Sequence, residues 1–232
     1  RSTAIVKNVK HSIQITQKIM ISLYKILTET YASETLRLSR DIVKSFKSNF
    51  GKKYNIEQDG MIISRDPKTK ELDGSPQEID FTLTVNFVPN KNLKGHSYSF
   101  DAITDFDEIT ITVYYVTTVF PVAYNDFIAE LKETVRHEIE HVAQGFNQGK
   151  ERIIRKTSRT PYYMYLQMPH EVPAYVQGLY KRSKTKKQTL TKSIDEFMQE
   201  NSKSFGGNKY KEIVKKVWID WAKKNLKNAQ LD

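Results

Sequence analysis

The sequence predicts an α+β fold in a single domain, with helices first, a small and mostly antiparallel sheet next, and helices again to the end. Three observations carry that prediction. Apolar residues recur at helical spacing through residues 11–49, switch to a period of two between 78 and 120, and return to helical spacing from Asn125 onward. The 232 residues suffice for one substantial core, and neither an internal repeat nor a clean linker divides them. The expected domain therefore spans residues 1–232, with a helical part over 1–50, a sheet over 60–120, a helical pair over 124–182 and a basic helical part over 183–232.

The first element rests on Ile13, Ile15, Ile19, Met20, Leu23, Ile26 and Leu27, followed by Leu36, Leu38, Ile42, Val43 and Phe46. These suit one long helix or two consecutive ones, with Gly51 as the stop. "GMIISR" (60–65) is short and β-branched, as a strand would be. "EIDFTLTVNFV" (78–88) alternates Ile79, Phe81, Leu83, Val85 and Phe87 against polar partners, the pattern of a half-buried strand. "DEITITVYYVTTVF" (107–120) alternates Ile109, Ile111, Val113 and Tyr115 in the same way. The turn-rich "VPNKNLKGHSYS" (88–99) between them reads as a loop. "NDFIAELKETVRHEIEHVAQG" then sets Phe127, Ile128, Leu131, Val135, Ile139 and Val142 on one helical stripe. Asn125 or Asp126 can cap its start and Gly145 its end. A polar stretch (147–160) leads into the aromatic "PYYMYLQMP" (161–169), and residues 170–181, 189–202 and 208–227 read as three further helices.

Composition narrows the function classes. A chain 38% hydrophobic, 28% charged and 11% aromatic is that of a globular protein. No apolar run approaches the roughly 20 residues that cross a bilayer, so no membrane-spanning helix is expected. The opening "RSTAIVKNVK" has neither the apolar core of a signal peptide nor an initiator Met, the look of a trimmed start. Cysteine is absent, which excludes disulfides, thiolate metal ligands and cysteine nucleophiles together. Any metal must be held by His, Asp or Glu. The net charge is +10, from 37 Lys and Arg against 27 Asp and Glu. Much of the excess lies in "KRSKTKK" (181–187), "KYKEIVKKVW" (209–218) and "AKKNLK" (222–227). Weak nucleic-acid contact through this C-terminal part is the functional reading. The ordinary reading is the solvated face of helices, because Lys outnumbers Arg there and only Tyr210, Trp218 and Trp221 could stack on bases.

The chemistry concentrates in "TVRHEIEHVAQG" (134–145). Histidines at i and i+4 lie about 40° apart around a helix, so His137 and His141 share one face and can reach a single metal ion. Glu138 follows the first histidine and leans beside the metal rather than onto it. There it can take a proton from water and return it to a leaving amine. The pattern is H-E-x-x-H, and exposed or partly buried histidines paired with neighbouring charges are its non-functional alternative.

A catalytic zinc keeps three protein ligands and one open position. In metzincins the third ligand is a His six residues after the second, with a Gly three residues after it. Gln144 and Asn147 occupy those places here, and the glycine comes late, at Gly145. An acidic ligand on a later helix is the remaining route, the one that gluzincins use. In "YLQMPHEVPAYVQGLYKR" (165–182), Glu171 stands early in a helix just after Pro169. His170 is also a competent zinc ligand, but adjacent helical residues point about 100° apart, so one of the pair would ligate and the other would not. Glu171 is the favoured ligand, and His170 then lies near the cleft as a donor to a developing oxyanion.

With His137-Glu138-x-x-His141 and a distal Glu171, the chain resembles the gluzincin group of zinc metallopeptidases. "YLQMPHEVPAY" is similar to a Y-L-x-x-P-x-E-x-x-A-Y stretch of small HExxH proteins of bacteriophages, in which the Glu is the presumed third ligand. The resemblance covers about residues 124–182. Many gluzincins carry an Asp four residues after the ligand Glu, bracing the first histidine, whereas this chain has Tyr175; Glu140 is not well oriented to replace it. The resemblance implies a zincin-like domain that binds Zn2+ and hydrolyses protein or peptide substrates. A strand along the cleft would pair with the substrate, and "ITITVYYVTT" (109–118) is the best candidate. Tyr114, Tyr115, Tyr162, Tyr163, Tyr165 and Tyr175 are candidate oxyanion donors, most of them expected in the core. With Zn2+ on His137, His141 and Glu171, the expected catalytic residues are Glu138, His170 and Tyr175. The alternative is a non-catalytic protein that zinc stabilises, associated with a virion or with nucleic acid. The expected location is cytoplasmic, in a host cell or virion if a phage encodes the chain.

Overall fold

The computed structural model describes residues 30–64, 77–90, 93, 97–118, 120–147 and 160–231. Helix α1 covers 30–48. Tyr31, Thr35, Leu38, Ser39, Ile42 and Phe46 are buried on one face of it, and Gly51 ends the turn beyond it at φ +84°. The apolar run before residue 30 lies outside the described residues.

Four strands follow: β1 (Tyr54–Ile63), β2 (Glu78–Pro89), β3 (Tyr98–Asp105) and β4 (Glu108–Tyr115), in the sheet order β1-β2-β4-β3. The alternating residues of β2 and β4 are buried on a single face, as their period demands. Each such side chain contributes roughly 1.5–3 kcal/mol by leaving water. On β1, Gly60 pairs with Phe81, and a Cβ there would overlap the phenylalanine ring.

The sheet is mixed. β1/β2 and β3/β4 are antiparallel, but the central pair β2/β4 is parallel. The chain leaving β2 passes beyond the place of β4, makes the edge strand β3, and returns between its two neighbours. The turn residues of 88–99 predict a loop and no strand before β4, whereas β3 occupies Tyr98–Asp105. Two features hide β3. Its two-residue turn to β4 uses Phe106 at φ 61° rather than Gly or Asn, and as an edge strand it buries no side chain fully.

Helix α2 (Phe120–Asn147) begins several residues before Asn125 and runs straight through Gly145, where the sequence predicted a stop. A Cβ at Gly145 would meet nothing within 4 Å, so no close approach requires the glycine. Phe127, Leu131, Val135, Ile139 and Val142 face the sheet and close the first core together with α1. A short α3 (Tyr162–Tyr165) leads to α4 (Glu171–Lys186), α5 (Leu190–Glu200), a 3-10 turn (Ser202–Ser204) and α6 (Asn208–Asn225). They enclose a second core around Trp218, whose Nε1 donates to Leu166 O at 2.9 Å. Thr189 caps α5 by accepting from Lys192 N, and Lys187 ends α4 in the left-handed region.

Helices α2 and α4 pack closely at Gly178. A Cβ there would stand 2.9 Å from Glu133 O and 3.5 Å from His137 Cβ. The missing side chain lets α4 approach the motif helix. No helix among the described residues is long and apolar enough to cross a membrane.

Candidate metal centre

His137 and His141 stand one turn apart on α2, their Nε2 atoms 3.0 Å apart. Glu171 opens α4 and brings Oε2 to 3.7 Å from the first and 3.6 Å from the second. Donors bonded to one tetrahedral zinc at about 2.0–2.1 Å are separated by roughly 3.3–3.4 Å. The observed triangle is close to that size. Glu171 Oε2 is buried and has no hydrogen-bond partner, the kind of orphan that a cation satisfies. Two imidazoles and a carboxylate therefore form a cluster that can hold a metal ion.

The protonation states of His137 and Glu171 favour ligation, whereas His141 is held toward its protonated form. Burial, helped by the charge of His141, pushes His137 down to about 3, so its ring is neutral. Burial works against ionised Glu171, yet His141, His137 and a hydrogen bond from Tyr165 hold its carboxyl below the usual range. His141 is raised: burial opposes its charge, but Glu171, Glu138 and Gln144 outweigh it.

Glu138 is buried beside the triad, and Thr104 Oγ1 on β3 donates to its Oε2 at 2.7 Å. Burial raises its proton affinity, while His141 and the Thr104 bond lower it. His170 precedes α4; its buried Nε2 has no hydrogen-bond partner and lies 3.5 Å from Glu171 Oε1. Tyr175 packs T-shaped against the His137 ring at 4.5 Å and stacks on Trp218 at 5.2 Å. One turn after the acidic ligand, an aromatic ring thus stands against the first histidine. Glu140 turns to the far side, buried with Arg136 at 2.8 Å.

These groups share a cavity of about 500 Å³. Thr104 and its β3 neighbours, the two histidines and Arg182 all line it, with Arg182 held by Glu133 and Glu200 at 3.2 and 2.6 Å. The strand along the cleft is β3, not the segment 109–118. β4 is hydrogen-bonded on both sides, to β2 and β3, so its backbone is already committed. Of the six candidate tyrosines, Tyr162, Tyr165 and Tyr175 line the cavity. Tyr115 does not: its hydroxyl accepts from Gly51 N and donates to Lys52 O.

Two contributors went unseen in the sequence. Thr104 lies in the strand that was missed. Gln144 sits three residues after His141, on the same helical face, and bridges His141 Nδ1 to the carbonyl of His170. That i+3 position was the available signal. In the basic C-terminal part, Lys215 pairs with Asp195 and Lys216 with Asp220. No family model matches the chain, and no curated protein or solved structure matches it.

Proposed function

We propose that the chain is a zinc-dependent peptidase of the zincin type, with His137, His141 and Glu171 as ligands and Glu138 as general base. The observation that carries the proposal is one cavity holding three things: a ligand triangle of tetrahedral size with an orphaned carboxylate oxygen, a buried glutamate beside it, and an edge strand. The likeness of "YLQMPHEVPAY" to phage HExxH proteins points the same way. A zinc ion there would supply Lewis acidity, easing deprotonation of water and polarising a carbonyl.

The chain's own residues supply the rest. β3, with one side unpaired among the described residues, offers backbone groups to an extended peptide. Glu138, oriented by Thr104, takes a proton from the attacking water as the oxygen–carbon bond forms. It returns that proton to the amide nitrogen as the carbon–nitrogen bond breaks. His170 lines the cavity, and its Nε2, without a hydrogen-bond partner and 3.5 Å from Glu171 Oε1, is the donor for the oxyanion. Tyr165 is engaged with Glu171. Tyr175 is engaged with Tyr162 and Tyr165, and it buttresses His137.

A second reading draws on one feature: the triad ties α2, part of the sheet-side core, to α4, part of the helical core. A metal in that position would also stabilise the fold. The two readings separate in one experiment. Metal content is measured on purified protein, and cleavage of a peptide library is followed before chelation, after it, and after zinc is restored. Cleavage lost and regained with zinc supports the peptidase. Bound zinc with no cleavage, and a large fall in melting temperature on chelation, supports the structural role.

A further inference from the structure

We propose that Gln144 is a positioning residue that selects the metal-ready tautomer of His141 and, through the same amide, docks the segment carrying Glu171 onto α2. The inference rests on His141 and Glu171 being ligands. It follows from donor and acceptor logic, without reference to any reaction.

Gln144 Nε2 donates to His170 O at 2.9 Å. A backbone carbonyl can only accept, so the amide nitrogen must face it and the orientation of the amide is decided. Gln144 Oε1 therefore faces His141 Nδ1, at 3.1 Å. An amide oxygen can only accept as well, so Nδ1 must carry the hydrogen. A neutral imidazole protonated at Nδ1 has its lone pair on Nε2. That atom is the one aimed at the centre, 3.0 Å from His137 Nε2 and 3.6 Å from Glu171 Oε2. The opposite tautomer would put a proton where the ligand lone pair has to be, and it would leave the Gln144 oxygen unpaired.

The second half of the bridge acts on the other side of the site. The carbonyl that Gln144 holds belongs to the residue just before Glu171, at the entry to α4. One side chain thus spans the donor ring and the start of the helix that brings the third ligand. Residues that orient ligands through such bonds typically alter metal affinity 10–100-fold when removed. Gln144→Leu loses both bonds. Gln144→Glu keeps the acceptor toward Nδ1 but cannot donate to His170 O.

The test uses the whole, metal-free protein labelled with 15N, at about pH 9, above the ordinary imidazole range. Long-range proton–nitrogen correlations then report which nitrogen of His141 carries the hydrogen. The wild type is expected as the single Nδ1–H tautomer, and an Nε2–H ring overturns the proposal without any variant. Zinc affinity is measured alongside, by competition with a chelator, with melting curves as a check on folding. Gln144→Leu should show mixed tautomers and a loss of about 10–100-fold. Gln144→Glu should keep the Nδ1–H tautomer yet lose about tenfold, because the docking bond is gone. Wild-type affinity and an unmixed tautomer in Gln144→Leu would overturn the inference. If that variant does not fold, the wild-type tautomer and Gln144→Glu decide it. Neither readout involves a substrate, so both succeed or fail independently of peptide cleavage.

Discussion

The sheet-side core and the cleft between α2 and α4 are built on opposite rules. Around Phe46, Phe87 and Phe127 the core is a run of apolar contacts, with rings 4.9–5.1 Å apart. In the cleft the same helix α2 buries Glu138 and His141 against His170, Glu171 and Arg182 from the next layer. Apart from the Arg136–Glu140 pair, the buried acidic, basic and histidine side chains among the described residues belong to this second group. Burying charge costs stability unless partners offset it, whereas burying phenylalanine stabilises outright. One helix therefore carries a stability face and a chemistry face, and the difference teaches where to look for function. The place that departs from the rules of a good core is the candidate site.

The contrast can be broken most directly at Glu138. Glu138→Gln should lower turnover by about 10²–10⁴-fold while zinc content and melting temperature stay near wild type. Turnover at the wild-type rate on a verified substrate would remove Glu138 from the chemistry. On the core side, Phe87→Ala should destabilise the fold by about 3–5 kcal/mol in a urea titration, with zinc per folded molecule unchanged. Its counterpart, Glu171→Leu, should abolish zinc binding yet leave the metal-free protein as stable as before or more so. A core-sized loss of metal-free stability in Glu171→Leu would erase the distinction between the two faces.

Where the regions meet, Gly178→Ala sets a methyl group against Glu133 O and forces α4 from α2. A destabilisation of about 1–3 kcal/mol is expected, together with weaker zinc binding, because this contact positions Glu171. Denaturant titration and chelator competition measure the pair of effects. The smallest change belongs to Thr104→Val, which keeps shape and removes the donor to Glu138. A fall of about tenfold in kcat is expected at unchanged zinc affinity, with Thr104→Ser restoring it. If zinc affinity falls instead, Thr104 supports the metal ligands and not the base.

Much of the fold was legible because local periodicity is a local property. The buried residues of β2 and β4 and the helical segments after residue 170 follow directly from spacing of two or of 3.6. β3 was not legible, since an edge strand with one solvated face and a turn built on Phe106 lacks both usual signals. Missing it hid the parallel pairing of β2 with β4 and sent the cleft strand to β4. In the site, His137, His141 and Glu138 were legible because four residues on a helix predetermine their geometry. Glu171 was a choice beside His170, and Gln144 registered only as a departure from the metzincin pattern.

By itself the sequence determined which side chains share a helical face, that a metal here would meet nitrogen and carboxylate donors without thiolates, and where an acidic ligand could come from. Tertiary structure alone decided that Glu171 Oε2 meets both histidines, that β3 and not β4 borders the cavity, and that Gln144 joins the two halves of the site. The reason is physical. Backbone geometry fixes neighbours three or four residues apart, but groups 30 positions apart, such as His141 and Glu171, meet only through the packing of whole elements. Here that packing turns on a close approach at Gly178, where the absence of a side chain lets α4 settle against α2.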